Sequence, residues 1–181
     1  MATCLSWCIP LHNRKSLPLA EITLYAVLGA LTFAAQVAMA FLPNIEPVSL
    51  MVMVFAVVFG WKALYPVYVF VVMEILFHGL GIWNLTYLYI WTILLAAAWL
   101  LRNMRSPLSW ALLSGVFGLM FGALCAPVDI VMGGFAYAGA KWISGIPFDV
   151  THCVGNFVVA LILFVPLRNL LEKLYARMKR T

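Results

Sequence analysis

Ionisable and amide side chains recur at helical spacing within apolar stretches of the sequence. Glu74 and His78 are four residues apart, as are His152 and Asn156, so each pair would share one face of a helix. Polar groups inside an apolar helix are costly, and they commonly serve as ligand contacts or as hydrogen bonds between helices. A metal site with His152 as third ligand is the weaker interpretation, because such scattered ligands are poor evidence for a metal. We therefore predict ligand contacts and no metal site.

Aromatic residues and glycines follow His78. Residues 79–84 read Gly-Leu-Gly-Ile-Trp-Asn and are followed shortly by Tyr87. Trp and Tyr gather at membrane interfaces by default. Flat rings beside glycines, which allow close backbone approach, also suit a ring-shaped ligand. This pattern predicts that Trp83, Asn84 and Tyr87 contribute to ligand binding.

Three proline-flanked segments supply further candidates. Residues 42–47 read Leu-Pro-Asn-Ile-Glu-Pro, a stiffened connection that is either a simple turn or the edge of a pocket. Residues 127–147 are predicted to form a long connection of the kind that often carries function. Asp149 follows it in the position of an N-cap for the last helix. The predicted ligand-binding residues are Asn44, Glu46, Glu74, His78, Trp83, Asn84, Tyr87, Trp142, Asp149, His152 and Asn156.

Small residues recur every four positions in the first apolar segment, at Ala26, Ala30, Ala34 and Ala38. We call these four residues the alanine stripe. Small residues at this spacing form a smooth helix face that another helix can approach closely. The partner is either a helix of the same chain or another membrane subunit, and docking to another subunit is the prediction carried forward.

Composition places these residues in a membrane protein. Of the 181 residues, 66% are hydrophobic and only 9% are charged, whereas about a quarter of a soluble domain is charged. The net charge is +5, but the basic residues cluster at segment ends without interleaved aromatic residues. This arrangement argues against nucleic-acid binding, and the expected environment is the lipid bilayer.

The spanning segments are expected to be helices, because hydrocarbon offers no hydrogen bonds to an open backbone. The predicted fold is an all-α membrane protein with six transmembrane helices. The second and third are short: a helix of about 14 residues covers about 21 Å of a ~30 Å core. The alternative is one long helix through Gly60. The predicted spans are 20–42, 47–60, 63–78, 85–101, 108–126 and 148–167.

Charge favours six crossings. With a cytoplasmic N-terminus, ten of the eleven Lys and Arg residues lie inside and only Lys141 lies outside. Fusing the second and third spans would move Arg102, Arg105 and the basic tail outside. Ala38-Met39-Ala40 resembles a signal-peptidase site, but the preceding apolar run is long for a signal peptide. We predict a multi-pass protein of a prokaryotic plasma membrane with both termini cytoplasmic. Its parts are a tail (1–18), a six-helix membrane domain (19–171) and a basic tail (172–181).

Catalytic motifs are missing from the sequence. It contains no HExxH, GxSxG, Walker A or glycine-rich dinucleotide fingerprint. Cys4 and Cys8 form a CxxxC pair without the second Cys/His pair of a zinc site. We therefore predict that the chain is not an enzyme and holds no cofactor. Any uptake that it drives needs energy from another protein.

The chain resembles the S components of energy-coupling factor (ECF) vitamin transporters from about Leu19 to Leu171. The resemblance rests on six short helices, cytoplasmic ends, Ala26, Ala30 and Ala34 of the alanine stripe, the segment 42–45 and the start of the last helix at 147–149. It implies capture of a vitamin or precursor near the outer surface. It also implies docking of the stripe to a transmembrane coupling subunit, and two partner ATPase subunits that use ATP.

Two other functional classes stay open: a secondary transporter or channel that works alone, and, less favoured, an intramembrane enzyme. The ligand is constrained only in part. No Lys/Arg cluster lies on the outer side, which argues against a multiply phosphorylated ligand. The aromatic outer half favours a small heterocycle, neutral or weakly cationic, and a larger corrinoid stays open.

Overall fold

The computed structural model describes residues 17–41 and 45–180. Within these ranges the chain is helical and contains no strand, which confirms the predicted all-α class. A 3-10 turn, Gly60–Ala63, separates the second and third helices. Asn44, Cys4, Cys8 and Thr181 lie outside the described residues. The helices are α1 (Leu19–Met39), α2 (Val48–Phe59), α3 (Leu64–His78), α4 (Trp83–Leu100), α5 (Pro107–Leu119) and α6 (Phe121–Met178).

Several of these helices are long and apolar enough to cross a membrane. By length and composition there are four such segments in the described chain. Two of the four combine helices, since α2 and α3 count as one run and α5 and α6 as another. The four segments are Leu19–Met39, Val48–His78, Trp83–Leu100 and Pro107–Met178.

The chain reverses direction between α2 and α3. Tyr25 of α1 meets Phe59 at the end of α2, with ring centroids 5.2 Å apart. Phe33, further along α1, meets Phe77 near the end of α3 at 5.4 Å. Helix α2 therefore runs antiparallel to α1 and α3. The reversal occurs at Gly60, whose φ of 61° and ψ of −136° lie in a region that favours glycine.

Helix α2 forms the centre of the bundle. All of its residues except Ser49 are apolar, and a helix without a polar face is buried on all sides. Helix α1 packs on α3 at Gly29, where an added Cβ would lie 2.6 Å from the Pro66 carbonyl oxygen and from Val69 Cβ. The absence of a side chain at this position lets the two helices approach closely.

Helices α5 and α6 form a long antiparallel hairpin. The chain folds back at Gly134, where φ is 80° and ψ is 177°, so the helical residues form the arms 107–133 and 135–178 apart from a turn at Met120. Residues that face each other across the hairpin lie at similar distances along the chain from Gly134. The facing pairs are Trp110 with Phe164, Ser114 with Asn156, Gly118 with His152, Gly122 with Asp149, and Asp129 with Lys141.

The predicted connection over 127–147 is wrong, because all of it except Gly134 is helical. Its glycines and prolines indicated a loop, but only Gly134 leaves the helical region. The arms stabilise each other here: Lys141 Nζ lies 2.5 Å from Asp129 Oδ1. The N-cap predicted at Asp149 is wrong for the same reason, since Asp149 lies inside the helix.

Candidate functional site

Buried polar side chains gather at the two ends of the bundle. At one end, Glu21 accepts hydrogen bonds from Lys62 Nζ at 2.7 Å and from the Tyr175 hydroxyl at 2.9 Å. We call this the Glu21 end. Both carboxylate oxygens are used, and the bonds join α1, the 3-10 turn and α6. A buried carboxylate needs this degree of pairing to be tolerated. This cluster is therefore a structural tie rather than a binding site.

At the opposite end, which we call the Glu46 end, the carboxylates are less completely paired. Gln36 Nε2 donates to Glu46 Oε2 at 3.3 Å. Glu74 Oε2 lies 3.2 Å from His78 Nδ1, one helical turn along α3. Glu74 is only 3% exposed, and its Oε1 has no hydrogen-bond partner among residues 17–41 and 45–180. A buried polar atom in this condition costs about 1–3 kcal/mol until something bonds to it.

Glu46 lies in the connection before α2, outside the membrane-spanning segments. Burial raises the pKa of its carboxyl above the usual 4.5, and the negative charge of Glu74 raises it further. The hydrogen bond from Gln36 acts in the opposite direction, because it favours the charged form. Two carboxyl groups thus interact electrostatically at this end.

Aromatic rings form a wall beside the carboxylates. The rings of Trp83 and Tyr87, one turn apart on α4, meet edge to face with centroids 5.1 Å apart. His78 lies 6.2 Å from the Trp83 ring. A cleft of about 260 Å³ opens between this wall and α1 and α3, and we call it the carboxylate cleft. It is lined by Gln36, Glu74, His78, Trp83 and Tyr87.

A second cleft, the hairpin cleft, has a volume of about 420 Å³, within the range of small-molecule pockets. Trp83 and Tyr87 line it too, and opposite them lies the α5–α6 hairpin with its Asp129–Lys141 ion pair. The two clefts therefore share the aromatic wall. The hairpin cleft is lined by Ile82, Trp83, Thr86, Tyr87, Phe121, Cys125, Asp129, Met132, Tyr137 and Lys141.

The structure brings some of the predicted binding residues together at the Glu46 end. Trp83, Tyr87, Glu74 and His78 line the carboxylate cleft, and Glu46 is bonded to Gln36 in its lining. These residues come from α3, α4 and the connection before α2. The antiparallel course of the helices brings them to the same end of the bundle.

Other predicted binding residues lie outside both clefts. The Asn84 Oδ1 accepts a hydrogen bond from the Gly81 amide, where α4 begins. Asp149 Oδ1 accepts from the Gly122 amide at 3.1 Å, which satisfies a donor freed by the turn at Met120. Trp142, on the same helix as Asp149, is half-exposed near Gly122.

His152 and Asn156 lie deeper between the hairpin arms and their neighbours. The His152 ring packs 5.0 Å from the ring of Phe121, on α6. Asn156 is 1% exposed, and its Nδ2 donates to Ser49 Oγ of α2 at 3.1 Å and to the Ser114 carbonyl at 3.4 Å. Their contacts are with neighbouring helices, but His152 Nε2 and Asn156 Oδ1 are buried without a hydrogen-bond partner within residues 17–41 and 45–180. Helix packing and ligand contact therefore both stay predictions for these two residues.

Several cleft residues were not predicted from the sequence. Asp129 and Lys141 were placed in a loop, although a charged residue within a long apolar stretch was a usable signal. Gln36, a polar residue within the first apolar segment, carried a similar signal. The remaining residues carry none, because Thr, Phe and Cys are ordinary residues of apolar helices. The unpredicted lining residues include Gln36, Thr86, Phe121, Cys125, Asp129 and Lys141.

The alanine stripe lies on the outside of the bundle. Ala26, Ala34 and Ala38 are exposed and Ala30 is partly covered, whereas Tyr25, Leu28, Gly29, Thr32 and Phe33 form the buried face of α1. In the described part of the chain, most of the stripe therefore has no helix packed against it. A smooth, uncovered face is available to lipid or to another helix.

Two other features of the described chain give no sign of a further ligand site. Within residues 17–41 and 45–180, no three His, Cys, Asp or Glu side chains are grouped so as to hold a metal ion. A groove of about 790 Å³ on α3 is larger than either cleft, but its lining is almost entirely apolar. Its only charged residue, Lys62, is paired with Glu21. Lipid chains cover such a surface in a bilayer.

Comparison of the chain with protein-family models, with curated proteins and with solved structures finds no match.

Proposed function

We propose that this chain is the substrate-binding S component of an ECF-type ATP-driven importer. In this proposal it captures a vitamin or a related small heterocycle at the Glu46 end, which faces outward from a prokaryotic plasma membrane. The chain itself uses no cofactor. A coupling subunit docks on α1, and two ATPase subunits hydrolyse the ATP.

The convergence of polar and aromatic side chains at the Glu46 end carries the proposal. Small-molecule sites combine apolar and aromatic walls with a few polar groups that orient the ligand. Here Glu46, Glu74 and His78 meet the rings of Trp83 and Tyr87 beside a cleft. At the Glu21 end the buried carboxylate is fully bonded instead. This difference between the two carboxylates supports binding at the Glu46 end.

The exposed alanine stripe supports a docking role. In a bilayer, helices associate through close packing of small residues rather than through the hydrophobic effect. The stripe has three exposed members, and the buried face of α1 packs elsewhere in the bundle. A partner helix can therefore reach the stripe without displacing the packing of α1 on α3.

Six crossings with both termini cytoplasmic are part of the proposal. The chain reversals at Gly60 and Gly134 support it, since each divides a long helical run into two antiparallel legs. The basic residues support the orientation, because Lys62, Arg102 and Arg105 then lie on the cytoplasmic side. Under this orientation the Glu21 end is cytoplasmic and both clefts open outward.

The docking proposal predicts that a bulky ring on the stripe uncouples the chain from its partners. Ala34→Trp should abolish recovery of the ATPase and coupling subunits with the tagged chain, because an indole holds the partner helix away. Ala30→Trp should do the same. Leu112→Trp is the matched control, since Leu112 is an exposed residue of α5. Native purification followed by mass spectrometry of the recovered subunits provides the measurement.

Three results would argue against the proposal. Recovery of the partner subunits with Ala34→Trp and Ala30→Trp at wild-type levels would remove the docking role of the stripe. Transport by the purified chain alone in liposomes would indicate a secondary transporter or channel. Chemical turnover of a bound compound by the purified chain would indicate an intramembrane enzyme.

A further inference from the structure

We infer that the ligand of the carboxylate cleft is an organic cation, in which a protonated nitrogen is attached to a flat ring. The inference deepens the proposed function and rests on it only in placing the ligand at the Glu46 end. Carboxyl groups lie on one side of the cleft, and the rings of Trp83 and Tyr87 lie on the other. A ligand that binds both the carboxyl groups and the rings needs a positively charged group and a flat ring.

Carboxyl groups outnumber basic groups at the cleft. Glu46 and Glu74 supply two carboxyl groups, whose charges are close enough to interact. His78 is the only basic side chain that contacts either of them in the described part of the chain, through Nδ1 and Glu74 Oε2. Even a protonated His78 leaves one negative charge in excess when both carboxyl groups are ionised. A monovalent cation neutralises this excess, whereas an anion would add to it.

Hydrogen bonding leads to the same chemical class. Glu74 is almost completely buried and lines the cleft, and its Oε1 lacks a partner within residues 17–41 and 45–180. When Glu74 is ionised it only accepts hydrogen bonds, and the missing partner is then a donor. A charged N–H group is the donor that bonds most strongly to a carboxylate. The same group on the ligand supplies both the donor and the positive charge.

The aromatic wall accounts for the flat ring. Trp83 and Tyr87 present their rings to the cleft, and a ring of the ligand can stack there or lie edge to face. A cation near the face of Trp or Tyr is also attracted by the ring quadrupole. On the other side of the wall, Lys141 is already paired with Asp129. The hairpin cleft therefore offers no free positive charge to hold an anionic ligand.

Three indole compounds that differ in charge provide the test. Tryptamine carries an ammonium group, tryptophol is neutral and indole-3-acetate is anionic, while the ring is the same in all three. Each is titrated into the purified full-length chain in lipid nanodiscs by calorimetry. The variants are Glu74→Gln, which removes the charge at nearly constant shape, and the control Glu172→Gln, at an ion-paired residue in the last turns of α6.

We expect tryptamine to bind at least about tenfold more tightly than tryptophol, and indole-3-acetate to bind least. Glu74→Gln should reduce the tryptamine preference to within about threefold, and Glu172→Gln should leave it unchanged. The thermal midpoint of each variant shows whether it is folded. If Glu74→Gln is unfolded, the three-compound comparison on the unmodified chain decides the question alone. Equal binding of the three compounds, or no binding of tryptamine at millimolar concentration, would overturn the inference.

This outcome is separable from that of the proposed function. If the chain binds tryptamine selectively but recovers no ATPase subunits, the inference of a cationic ligand stands and the importer proposal is wrong. If the chain recovers ATPase subunits but prefers tryptophol or indole-3-acetate, the importer proposal stands and the inference of a cationic ligand is wrong.

Discussion

At the scale of single residues, the buried polar groups fall into two kinds. Both oxygens of Glu21 are bonded to residues of other elements, so Glu21 fixes how those elements pack. Asn156 bonds to Ser49 through Nδ2, while its Oδ1 has no partner within 17–41 and 45–180, but Asn156 lines neither cleft. Glu74 has one oxygen bonded only to its neighbour His78, and the other has no partner within 17–41 and 45–180. Buried polar groups are nearly always bonded, and an exception calls for an explanation. A ligand donor is the explanation that also accounts for the adjacent aromatic wall.

The aromatic wall gives the residue-scale prediction. Trp83→Ala should weaken tryptamine binding about fivefold or more, because loss of a stacked ring removes about 1 kcal/mol beyond its contact area. Trp61→Ala is the matched control, since Trp61 is a half-exposed tryptophan in the 3-10 turn, next to Lys62 of the Glu21 end. Calorimetric titration of both variants provides the comparison. Equal affinities would mean that the wall does not contact the ligand.

At the scale of elements, the two arms of the α5–α6 hairpin approach each other closely at glycines. At Gly118 an added Cβ would lie 2.8 Å from the carbonyl oxygen of His152, on the opposite arm. Backbone atoms cannot move aside as a flexible side chain can, so the arms would have to separate. Close approach at small residues is a general means of packing helices in membranes. The same approach lets Asp149 bond the Gly122 amide across the hairpin.

The hairpin predicts opposite effects for two similar substitutions. Gly118→Ala should destabilise the protein by about 1–3 kcal/mol through overpacking, which lowers the thermal midpoint by several degrees. Gly145→Ala should leave it unchanged or raise it, because nothing lies within 4 Å of the added Cβ and alanine favours the helix by about 0.5–1 kcal/mol. Far-ultraviolet circular dichroism during heating measures both. A Gly118→Ala protein as stable as Gly145→Ala would contradict the close packing.

At the scale of the whole molecule, the two ends differ in kind. The buried carboxylate of the Glu21 end is bonded through both oxygens, whereas the carboxylate cleft and the hairpin cleft lie at the Glu46 end. Most of the lateral surface of the bundle is apolar, as contact with lipid requires. The proposed function requires such a difference between the two ends, because an importer subunit captures its ligand on one side of the membrane and meets its ATPase partners on the other.

The orientation predicts the accessibility of two positions to an impermeant maleimide in intact cells. In a chain whose native cysteines are replaced by serine, Leu80→Cys should react from outside, since Leu80 is 88% exposed in the connection between α3 and α4. Arg105→Cys, in the exposed connection between α4 and α5, should react only after the cells are opened. Reaction of Arg105→Cys in intact cells together with protection of Leu80→Cys would reverse the orientation.

The helical class and much of the helix layout could be predicted from the sequence, and the segment 127–147 could not. For α1 to α4 the bounds lie within a few residues of the predicted spans, because apolar runs with Pro and Gly at their ends are local signals. In 127–147 the same local signals were misleading, since pairing with the opposite arm overrides the glycines and prolines at every position except Gly134. Local propensity is a weak guide where tertiary contacts compensate for it.

The chemical types at the Glu46 end can be read from the sequence: carboxyl groups, a histidine and large rings within apolar segments. Which of these side chains meet depends on how the helices pack. His152 and Asn156 looked equivalent to Glu74 and His78 by spacing, yet they pack between helices, whereas Glu74 lines the cleft. Spacing gives the shared face of one helix but not the direction in which that face points. That direction depends on the chain reversals at Gly60 and Gly134, where a change in two backbone angles reorients every following residue.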